Sequence, residues 1–415
     1  MEEVNVKREV LAGITTFLTM SYILAVNPII LSAAGMPKDG VIFATAASAA
    51  LATFLMGTYA KLPFALAPGM GLNAYFAYTV CGQMGVSWKT ALSAVFLEGV
   101  IFLILTVSGV RSAIFKAIPK NLSYAISAGI GLFIALIGLK SSGIIEPSQD
   151  TLVKLGNLRE FSPAVTIAVL ILTAILIKRK VPGALLWGIL LATTIGILAG
   201  KAKPPSSILG FPHPSAAFKL DFSSLLSSSI IPVVITFLIV DLFDTVGTLS
   251  ALCTRLGIPL NDNKVSKALT CDAVGTAVGS LMGTSTVTTY VESASGVAAG
   301  GKTGITAVTV SVLFILSLFF YPLISAIPEF ATAPALIYVG SFMMAPLRKI
   351  EWEDATESLP AFITLVGIPF TFSISDGMGL GFISYTLVKL LSGRKEEINP
   401  TLFIVTVIFL VKFFM

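Results

Sequence analysis

The sequence contains few charged residues and almost no histidine. Asp, Glu, Lys and Arg make up 12% of its 415 residues, whereas soluble domains carry about 25%. The single histidine, His213, lies in the proline-rich stretch FPHP, and the three cysteines, Cys81, Cys253 and Cys271, lack the spacing of metal ligands. We therefore expect no cofactor, no metal centre and no histidine-based catalytic site, and we interpret the cysteines as small packing residues.

Two further signals are missing. The N-terminal stretch MEEVNVKREV has acidic residues and no short apolar core that ends at a small-residue cleavage site, so we expect no cleaved signal peptide. The formal net charge is +5, but the basic residues are scattered through short segments. This distribution predicts no nucleic-acid partner.

Long apolar runs dominate what is present. Hydrophobic residues make up 55% of the chain and the mean hydropathy is +0.92. Apolar runs of about 18 residues recur from end to end, which is typical of transmembrane helices. We predict an all-α polytopic membrane protein with about fourteen spans in two sets of seven. The first set lies near 9–33, 40–60, 64–82, 88–109, 119–140, 161–177 and 182–200. The second set lies near 228–249, 265–282, 284–300, 303–325, 331–347, 358–374 and 376–392.

The basic residues are distributed unevenly between the two predicted sides. With a cytoplasmic N-terminus, 18 of the 27 Lys and Arg residues lie inside, 8 lie outside, and Lys412 lies in a last apolar run, 399–415. An excess inside follows the positive-inside rule. We therefore predict a multi-pass protein of the plasma membrane with its N-terminus in the cytoplasm. The run 399–415 is either an extra span or a helix packed at the inner surface, and the sequence leaves both open.

An internal repeat relates the two sets of spans. Residues 16–18 and 236–238 both read TFL, and residues 55–58 and 281–284 both read LMGT, at offsets of 220 and 226. Because seven is an odd number, the second copy is predicted to enter the membrane in the opposite orientation. Inverted repeats of this kind place a binding site near mid-membrane in many transporters.

The third segment of each set does not look like an ordinary spanning helix. Residues 283–301 read GTSTVTTYVESASGVAAGG, and residues 63–76 read PFALAPGMGLNAYF. In the later segment β-branched residues crowd the first half and small residues fill the second. This pattern favours a short extended piece followed by a half-helix. A glycine-rich loop outside the membrane is the alternative.

Five acidic side chains fall within predicted spans away from their ends, where a charge costs at least ~2.5 kcal/mol and marks a functional candidate. Asp241 and Asp244 are three residues apart, so they face roughly the same side of a helix. The alternative for Asp241 is that it caps or pins a neighbouring helix. We assign Glu98 and Asp272 first to interhelix pairing or half-helix capping and second to proton movement. Glu292 is the one carboxylate of the segment 283–301.

Two side chains of the earlier segment suit a flat polar ligand. Asn73 can donate and accept hydrogen bonds, and Phe76 can stack on a planar ring. Ordinary helix packing is the favoured explanation of Phe76, because aromatic residues mostly fill cores.

Five stretches form a specific set: GITTFLTMSYILAVNP, APGMGLNAYFAYTVC, VDLFDTVGTL, GTSTVTTYVESASGVAAGGKTG and PFTFSISDGMGLGFI. Together they resemble the adenine–guanine–hypoxanthine permease branch of the nucleobase transporters, over essentially the whole chain. The resemblance implies a fold similar to uracil permease, with a core domain, a gate domain, and a short strand and half-helix in the third and tenth spans. It also implies proton-coupled uptake of a purine base.

By motif position, the resemblance places Asn73, Asp244 and Glu292 at the purine and gives Asp376 a supporting polar role. Glu292 and Asp244 are also the predicted proton-coupling groups. The remaining predicted site residues are Phe76, Thr289 and Ser293 at the substrate, and Asp241, Asp272 and Glu98 in support.

The predicted core domain comprises residues 1–110 and 221–326, and the predicted gate domain comprises 111–220 and 327–415. The predicted partners are a purine base, a proton and the lipid bilayer, and the sequence leaves a homodimer open. Three alternatives remain. A uracil or xanthine carrier is mildly disfavoured by Asp244, because the eighth-span acid of those carriers is usually Glu. An anion carrier on the same fold is disfavoured by the acids, and an intramembrane enzyme by the lone histidine.

Overall fold

The computed structural model describes residues 5–108, 119–223 and 230–414. Within these ranges the chain is predominantly helical, and seven helices are long and apolar enough to cross a membrane. The prediction of a helical membrane protein is confirmed, while the count of fourteen spans stays a prediction. The predicted span limits at residues 109 and 228 and the domain boundary after residue 110 lie outside the described residues.

The first half of the described chain contains eight helices and three strands. In chain order they are α1 (Val6–Met20), α2 (Ile23–Ser32), α3 (Lys38–Leu55), β1 (Leu66–Pro68), α4 (Met70–Ala74), α5 (Trp88–Val107), α6 (Lys120–Ser141), β2 (Ile145–Ser148), β3 (Leu152–Leu155), α7 (Phe161–Lys178) and α8 (Ala184–Leu198). Wider π-helical turns continue α3 over Met56–Ala60 and α4 over Tyr75–Gln83.

The second half of the described chain contains nine helices and one strand. They are α9 (Ile231–Leu256), α10 (Asn263–Met282), β4 (Val287–Thr289), α11 (Ser293–Ala298), α12 (Gly304–Ser317), α13 (Tyr321–Ser325), α14 (Glu329–Met343), α15 (Ala355–Phe370), α16 (Ile374–Leu391) and α17 (Pro400–Phe414). Short 3₁₀ turns at Ala345–Lys349 and Lys395–Glu397 join the last helices.

Local chemistry sets several helix ends. The Asn5 side chain accepts the N–H of Arg8 at 3.2 Å at the start of α1, and the Asp262 side chain accepts the N–H of Lys264 at 2.8 Å at the start of α10. At the other end of α10, Gly283 has φ +102°. Only glycine adopts this conformation readily, and it turns the chain out of the helix toward β4.

A pair of short strands lies at the centre of the fold. β1 and β4 pair antiparallel, with Leu66 opposite Thr289 and Pro68 opposite Val287. All residues of both strands are buried, so the alternative of an external loop is excluded. Each strand runs directly into a short helix, α4 or α11. The strand and half-helix predicted in the third and tenth segments are therefore confirmed, and antiparallel pairing is what two oppositely oriented copies would produce.

A second sheet was not predicted. β2 and β3 form an antiparallel hairpin in which Ile145 is opposite Leu155 and Ser148 is opposite Leu152. β3 is fully exposed and β2 is half-buried, so the hairpin lies on the surface between α6 and α7. Each strand has four residues, so any alternation of apolar and polar side chains is too short to be recognised between the long apolar runs.

The helices pack in two groups. The strand bundle comprises α1 to α5 and α9 to α12 around β1 and β4, and the flanking bundle comprises α6 to α8 and α14 to α16. Few polar contacts join the groups. The Thr79 hydroxyl donates to the carbonyl of Phe372 at 3.2 Å, and the Thr236 hydroxyl donates to the Ser375 hydroxyl at 3.0 Å.

The last helix, α17, runs antiparallel along α16. Near one end the hydroxyls of Thr386 and Thr406 are 2.8 Å apart, and at the other end the Lys412 ammonium reaches Asp376 at 2.7 Å. A helix that follows its neighbour from end to end is arranged as a further span, so this packing favours that alternative for the run 399–415 over a helix lying at the inner surface.

Candidate binding site at the paired strands

Two threonines hold the outer edges of the strand pair. The Thr53 hydroxyl on α3 accepts the N–H of Leu66 at 2.9 Å and donates to its carbonyl at 3.0 Å. The Thr276 hydroxyl on α10 does the same for Val287, at 3.1 and 2.9 Å. Backbone groups inside a membrane must find partners within the protein. These hydroxyls satisfy the edges that a two-stranded sheet leaves open.

Glu292 and Asp244 lie together at one end of the strand pair. Glu292 directly precedes α11, and the Tyr22 hydroxyl donates to its Oε1 at 2.6 Å. The two carboxyl groups are close enough for their charges to interact, and both side chains are half-buried. Tyr22 occupies the turn between α1 and α2, so the break in the first span brings its phenol to this carboxylate.

Asn73 lies toward the opposite end of the strand pair. It is fully buried on α4, and the hydroxyl of Ser285 donates to its Oδ1. Its Nδ2 has no hydrogen-bond partner among the described residues. The structure therefore brings Glu292 and Asp244 together, whereas Asn73 contacts the residue that leads into β4.

Three other predicted substrate residues are buried within the strand framework. The Ser293 hydroxyl accepts the N–H of Ala65 at 2.9 Å, and the Thr289 hydroxyl donates to Asp272 at 3.2 Å. Phe76 is fully buried in the π-helical turns after α4. The two hydroxyls already have partners that hold β1 and β4 in place.

Glu98, Asp241 and Asp272 form a buried acidic cluster behind the strands. The Thr245 hydroxyl lies 2.9 Å from Asp272 and 3.2 Å from Asp241. The Thr286 hydroxyl donates to Glu98 at 3.4 Å, and the Glu98 carboxyl contacts that of Asp241. Asp241 and Asp244 therefore interact with different groups of residues, although both lie on α9.

Asp376 lies outside both groups. It lies in the first turn of α16, where its N–H donates to the Ser373 hydroxyl at 3.2 Å, and its carboxylate binds Lys412 at 2.7 Å. Lys412 also donates to Ser375 at 2.7 Å. Asp376 is therefore an ion-pair partner of the last helix at the boundary between the two bundles.

Several important residues were missed. Tyr22 and Tyr290 gave no distinctive signal, although the Tyr290 hydroxyl donates to the carbonyl of Pro68 at 2.5 Å and locks the two strands together. Thr53 and Thr276 could have been found, because their offset of 223 lies between the two offsets of the internal repeat.

Comparisons with known proteins agree with this architecture. The model of the Permease family matches residues 7–380. Guanine/hypoxanthine permease PbuO of Bacillus subtilis (strain 168) is 41% identical over 424 residues, which cover 100% of this chain and 98% of PbuO. Adenine permease AdeQ of Escherichia coli (strain K12) is 41% identical over 420 residues, which cover 98% of this chain and 93% of AdeQ.

A solved structure shares the fold. The transmembrane domain of a cyanobacterium bicarbonate transporter, BicA, superposes with a TM-score of 0.70 at 12% identity, covering 91% of this chain and 98% of that domain. Identity this low supports the fold alone. The family match extends over most of the sequence and includes the central strands β1 and β4 and every predicted site residue. This chain therefore belongs to the Permease family, as a multi-pass membrane transporter and not an enzyme.

Proposed function

We propose that this chain imports purine nucleobases together with protons across the plasma membrane. The relatives PbuO and AdeQ are named for guanine and hypoxanthine and for adenine, and both are 41% identical to this chain. Equal identity favours a purine base without ranking the three. The observation that carries the proposal is the group formed by Tyr22, Glu292 and Asp244 beside the paired strands.

This group suits the hydrogen-bonding edge of a purine. Purine bases present ring N–H and exocyclic amino donors, and a charged acceptor oxygen strengthens such a bond to about 1.5–3 kcal/mol. Glu292 and Asp244 supply these acceptors, and the hydroxyl of Tyr22 orients the first of them. Asn73 serves ring acceptors through its Nδ2. Asn73 offers the base only this amide nitrogen, because the Ser285 hydroxyl already donates a hydrogen bond to its carbonyl oxygen.

Proton coupling follows from the proximity of the two carboxylates. Like charges held close together repel, and a proton on either Glu292 or Asp244 relieves that repulsion. A proton and a base with N–H donors would therefore enter the same site together. Glu98, Asp241 and Asp272 would support this step through the hydroxyls behind the strands. We assign Thr289, Ser293 and Phe76 to holding the strands rather than to contacting the base.

Alternating access is proposed as movement of the strand bundle against the flanking bundle. In this proposal the strand bundle acts as the predicted core domain and the flanking bundle acts as the predicted gate domain. The bundles carry their own internal packing, and the polar contacts between them include the Thr79–Phe372 bond at 3.2 Å and the Thr236–Ser375 bond at 3.0 Å. Such isolated bonds can break and reform without unfolding either group.

The first experiment is an uptake panel in proteoliposomes. Radiolabelled adenine, guanine, hypoxanthine, xanthine, uracil, sulfate and bicarbonate are offered with an inward proton gradient. We expect accumulation of at least one purine of the first three and its loss after an uncoupler. Accumulation of uracil or xanthine alone would support the pyrimidine or xanthine carrier, and accumulation of an anion alone would support the anion carrier. Purine accumulation that survives the uncoupler would contradict proton coupling.

A second experiment tests movement between the bundles. In a background without Cys81, Cys253 and Cys271, we expect cysteines at positions 236 and 375, where the native hydroxyls are 3.0 Å apart, to join the two bundles when oxidised. We expect oxidation to stop uptake and reduction to restore it. The matched control places cysteines at positions 386 and 406, which face each other on α16 and α17. Equal loss of uptake in both oxidised variants would argue against relative movement of the bundles.

A further inference from the structure

The turn between α15 and α16 has a phenylalanine at a position where helices commonly end in glycine. The N–H of Phe372 donates to the carbonyl of Pro369 at 3.2 Å, and the N–H of Ser373 donates to the carbonyl of Ile368 at 3.2 Å. This pair of bonds closes a helix around one left-handed residue, which is usually Gly because a side chain is disfavoured there. Phe372 has φ +55°. A bulky residue keeps this conformation only where its surroundings hold it, and such residues cluster at moving parts of proteins.

This turn contacts the strand bundle at three points. The ring of Phe372 meets the ring of Tyr78 edge to face, with the ring centroids 5.9 Å apart. The Thr79 hydroxyl donates to the carbonyl of Phe372 at 3.2 Å. The side-chain amide of Gln83 donates to the carbonyl of Thr371 at 3.1 Å. All three partners lie on the π-helical turns that continue α4, so the turn joins the flanking bundle to the strand bundle.

The ring of Phe372 is also held by its own bundle. Phe133 on α6 meets it edge to face, with the ring centroids 4.9 Å apart. The ammonium group of Lys140, near the end of α6, lies 5.3 Å from the centroid of the same ring. Edge-to-face ring pairs and contacts between a cation and a ring are both attractive. The ring is therefore positioned by α6 where it meets Tyr78.

The segments that meet at Phe372 are the ends of three predicted spans, near 64–82, 119–140 and 358–374. These are the third, fifth and thirteenth spans. With a cytoplasmic N-terminus every odd-numbered span runs outward, so the contacts of Phe372 lie on the outer side of the membrane. The bond of 3.0 Å between Thr236 and Ser375 joins the beginnings of the eighth and fourteenth spans, which run inward. Both sets of contacts therefore lie on the side from which a base would enter.

We propose that Phe372 is a gating residue that holds the outer ends of the two bundles together. Its ring and the carbonyls of its turn bind the strand bundle, so the outer side is closed in this structure. Opening toward the outside separates the ring from Tyr78 and breaks the bonds from Thr79 and Gln83, while α6 keeps the ring on the flanking bundle. This inference rests on the proposed movement of the bundles and is independent of which substrate is carried.

The test measures how often the bundles separate, with a reporter cysteine on the strand bundle. Thr236 is fully buried and its hydroxyl contacts Ser375 across the boundary. In the background without the three native cysteines, Thr236→Cys should therefore react with a membrane-impermeant thiol reagent only when the boundary opens. The full chain is labelled in spheroplasts, which expose its outer side.

The main variant is Phe372→Gly, because glycine suits the left-handed backbone of the turn while the ring is removed. We expect it to raise the labelling rate of position 236 about three- to tenfold, the range that corresponds to the loss of an edge-to-face ring pair. Phe370→Ala removes an exposed ring two positions earlier and should leave the rate unchanged. In inside-out vesicles, where the reagent meets the inner side, Phe372→Gly should give no rise.

Two further measurements separate gating from general loosening of the protein. Ser280→Cys places the reporter at a fully buried position of α10, within the strand bundle, and should stay unreactive in every variant. Tyr78→Leu removes the partner ring and should raise the labelling of position 236 by a similar factor. The double variant Phe372→Gly, Tyr78→Leu should label at about the rate of either single variant, because both substitutions remove the same contact.

The proposal is overturned if Phe372→Gly and Phe370→Ala label position 236 at equal rates. It is also overturned if position 280 becomes reactive together with position 236, or if the effects of Phe372→Gly and Tyr78→Leu multiply. If Phe372→Gly fails to fold, Thr79→Val decides, because it removes only the hydroxyl bonded to the Phe372 carbonyl. Its control is Thr194→Val, at an exposed threonine. The labelling needs no purine, so unchanged rates would overturn gating by Phe372 and leave purine uptake standing, whereas a failed uptake panel would leave this test valid.

Discussion

Acidic residues have different partners in the two bundles. In the flanking bundle they bind cations directly: Lys389 lies 2.6 Å from both Glu357 and Glu397, and Arg394 lies 2.5 Å from Asp354. In the strand bundle the acids described above accept hydrogen bonds from hydroxyl groups, as for Glu292 with Tyr22, or from backbone N–H groups, as for Asp262 with Lys264. A carboxylate that is paired with a fixed cation stabilises the fold and is not available to a proton or a ligand. One that is held by hydroxyls can still take up a proton or a ligand donor.

The largest effect should come from breaking the buried ion pair of the flanking bundle. Lys389 is fully buried, so Lys389→Met leaves Glu357 buried without its cation, which typically costs about 3–5 kcal/mol of folding free energy. Thermal unfolding in detergent measures the loss. Lys395→Met, at an exposed lysine, is the control. Restored stability in the double variant Lys389→Met, Glu357→Leu would show that the unpaired charge was the cause. Unchanged stability of Lys389→Met would contradict the comparison.

The acids at the proposed site should behave in the opposite way. Glu292→Gln and Asp244→Asn each remove a charged acceptor, and we expect purine binding to weaken by about 1.5–3 kcal/mol, tenfold or more, with little change in thermal stability. Binding of radiolabelled purine to detergent-solubilised protein gives the affinity. Glu160→Gln, an exposed carboxylate, should bind as the unaltered protein does. Wild-type affinity in both site variants would place the purine elsewhere.

Loss of a hydroxyl from the acidic cluster behind the strands should cause a smaller loss of folding stability. Thr245→Val removes the hydroxyl that joins Asp241, Asp272 and Thr288 while keeping the shape of the side chain. Buried acceptors that lose their donor typically cost about 1–3 kcal/mol. Thr254→Val on the same helix removes an exposed hydroxyl and is the matched control. Equal melting temperatures for the two variants would mean that the cluster does not depend on Thr245.

The smallest effect concerns pH. The Arg394 guanidinium and the N–H of Thr356 lower the pKa of Asp354 to about 2, against about 3.9 in an unfolded chain. The stabilisation is therefore complete above about pH 4 and is lost as the pH falls through 2. The melting temperature of Asp354→Asn should lie below that of the unaltered protein at pH 6, and the gap should narrow toward pH 2.5. With Asp150→Asn, an exposed control, the gap should stay small throughout. A gap for Asp354→Asn that does not change with pH would argue against this ion pair.

Much of the fold could be predicted from the hydropathy and composition of the sequence. Most predicted spans coincide with helices to within a few residues, because each long apolar run must bury its backbone polar groups in a helix. The exceptions are α9, which continues to Leu256 beyond the predicted limit at 249, and the spans near 9–33 and 303–325, each of which covers two helices. The strand and half-helix at residues 63–76 and 283–301 were also predicted, since glycine, proline and β-branched residues interrupt the runs there. The hairpin of β2 and β3 was not, because short polar segments between spans carry no strong periodicity.

The candidate site was only partly predictable. Asp241 and Asp244 were expected to face one side of their helix, but three residues turn a helix by about 300° and leave the side chains about 60° apart. That angle is enough to direct Asp241 to the buried cluster and Asp244 to Glu292. The contact with Tyr22 depends on a turn between α1 and α2 that no capping residue or proline in the sequence marks.

The order in which the chain is made bears on the strand pair. Pro68 and Val287 pair although they are 219 positions apart in the sequence, and a ribosome adding about 5–20 residues per second separates their synthesis by roughly 10–40 s. During that interval β1 lies in the membrane without β4. Thr53 is only 13 residues from Leu66 and bonds both of its backbone groups, so this hydroxyl is available long before the partner strand exists. It satisfies the edge of β1 that faces α3, so only the edge that faces β4 stays open until the second half of the chain has been made.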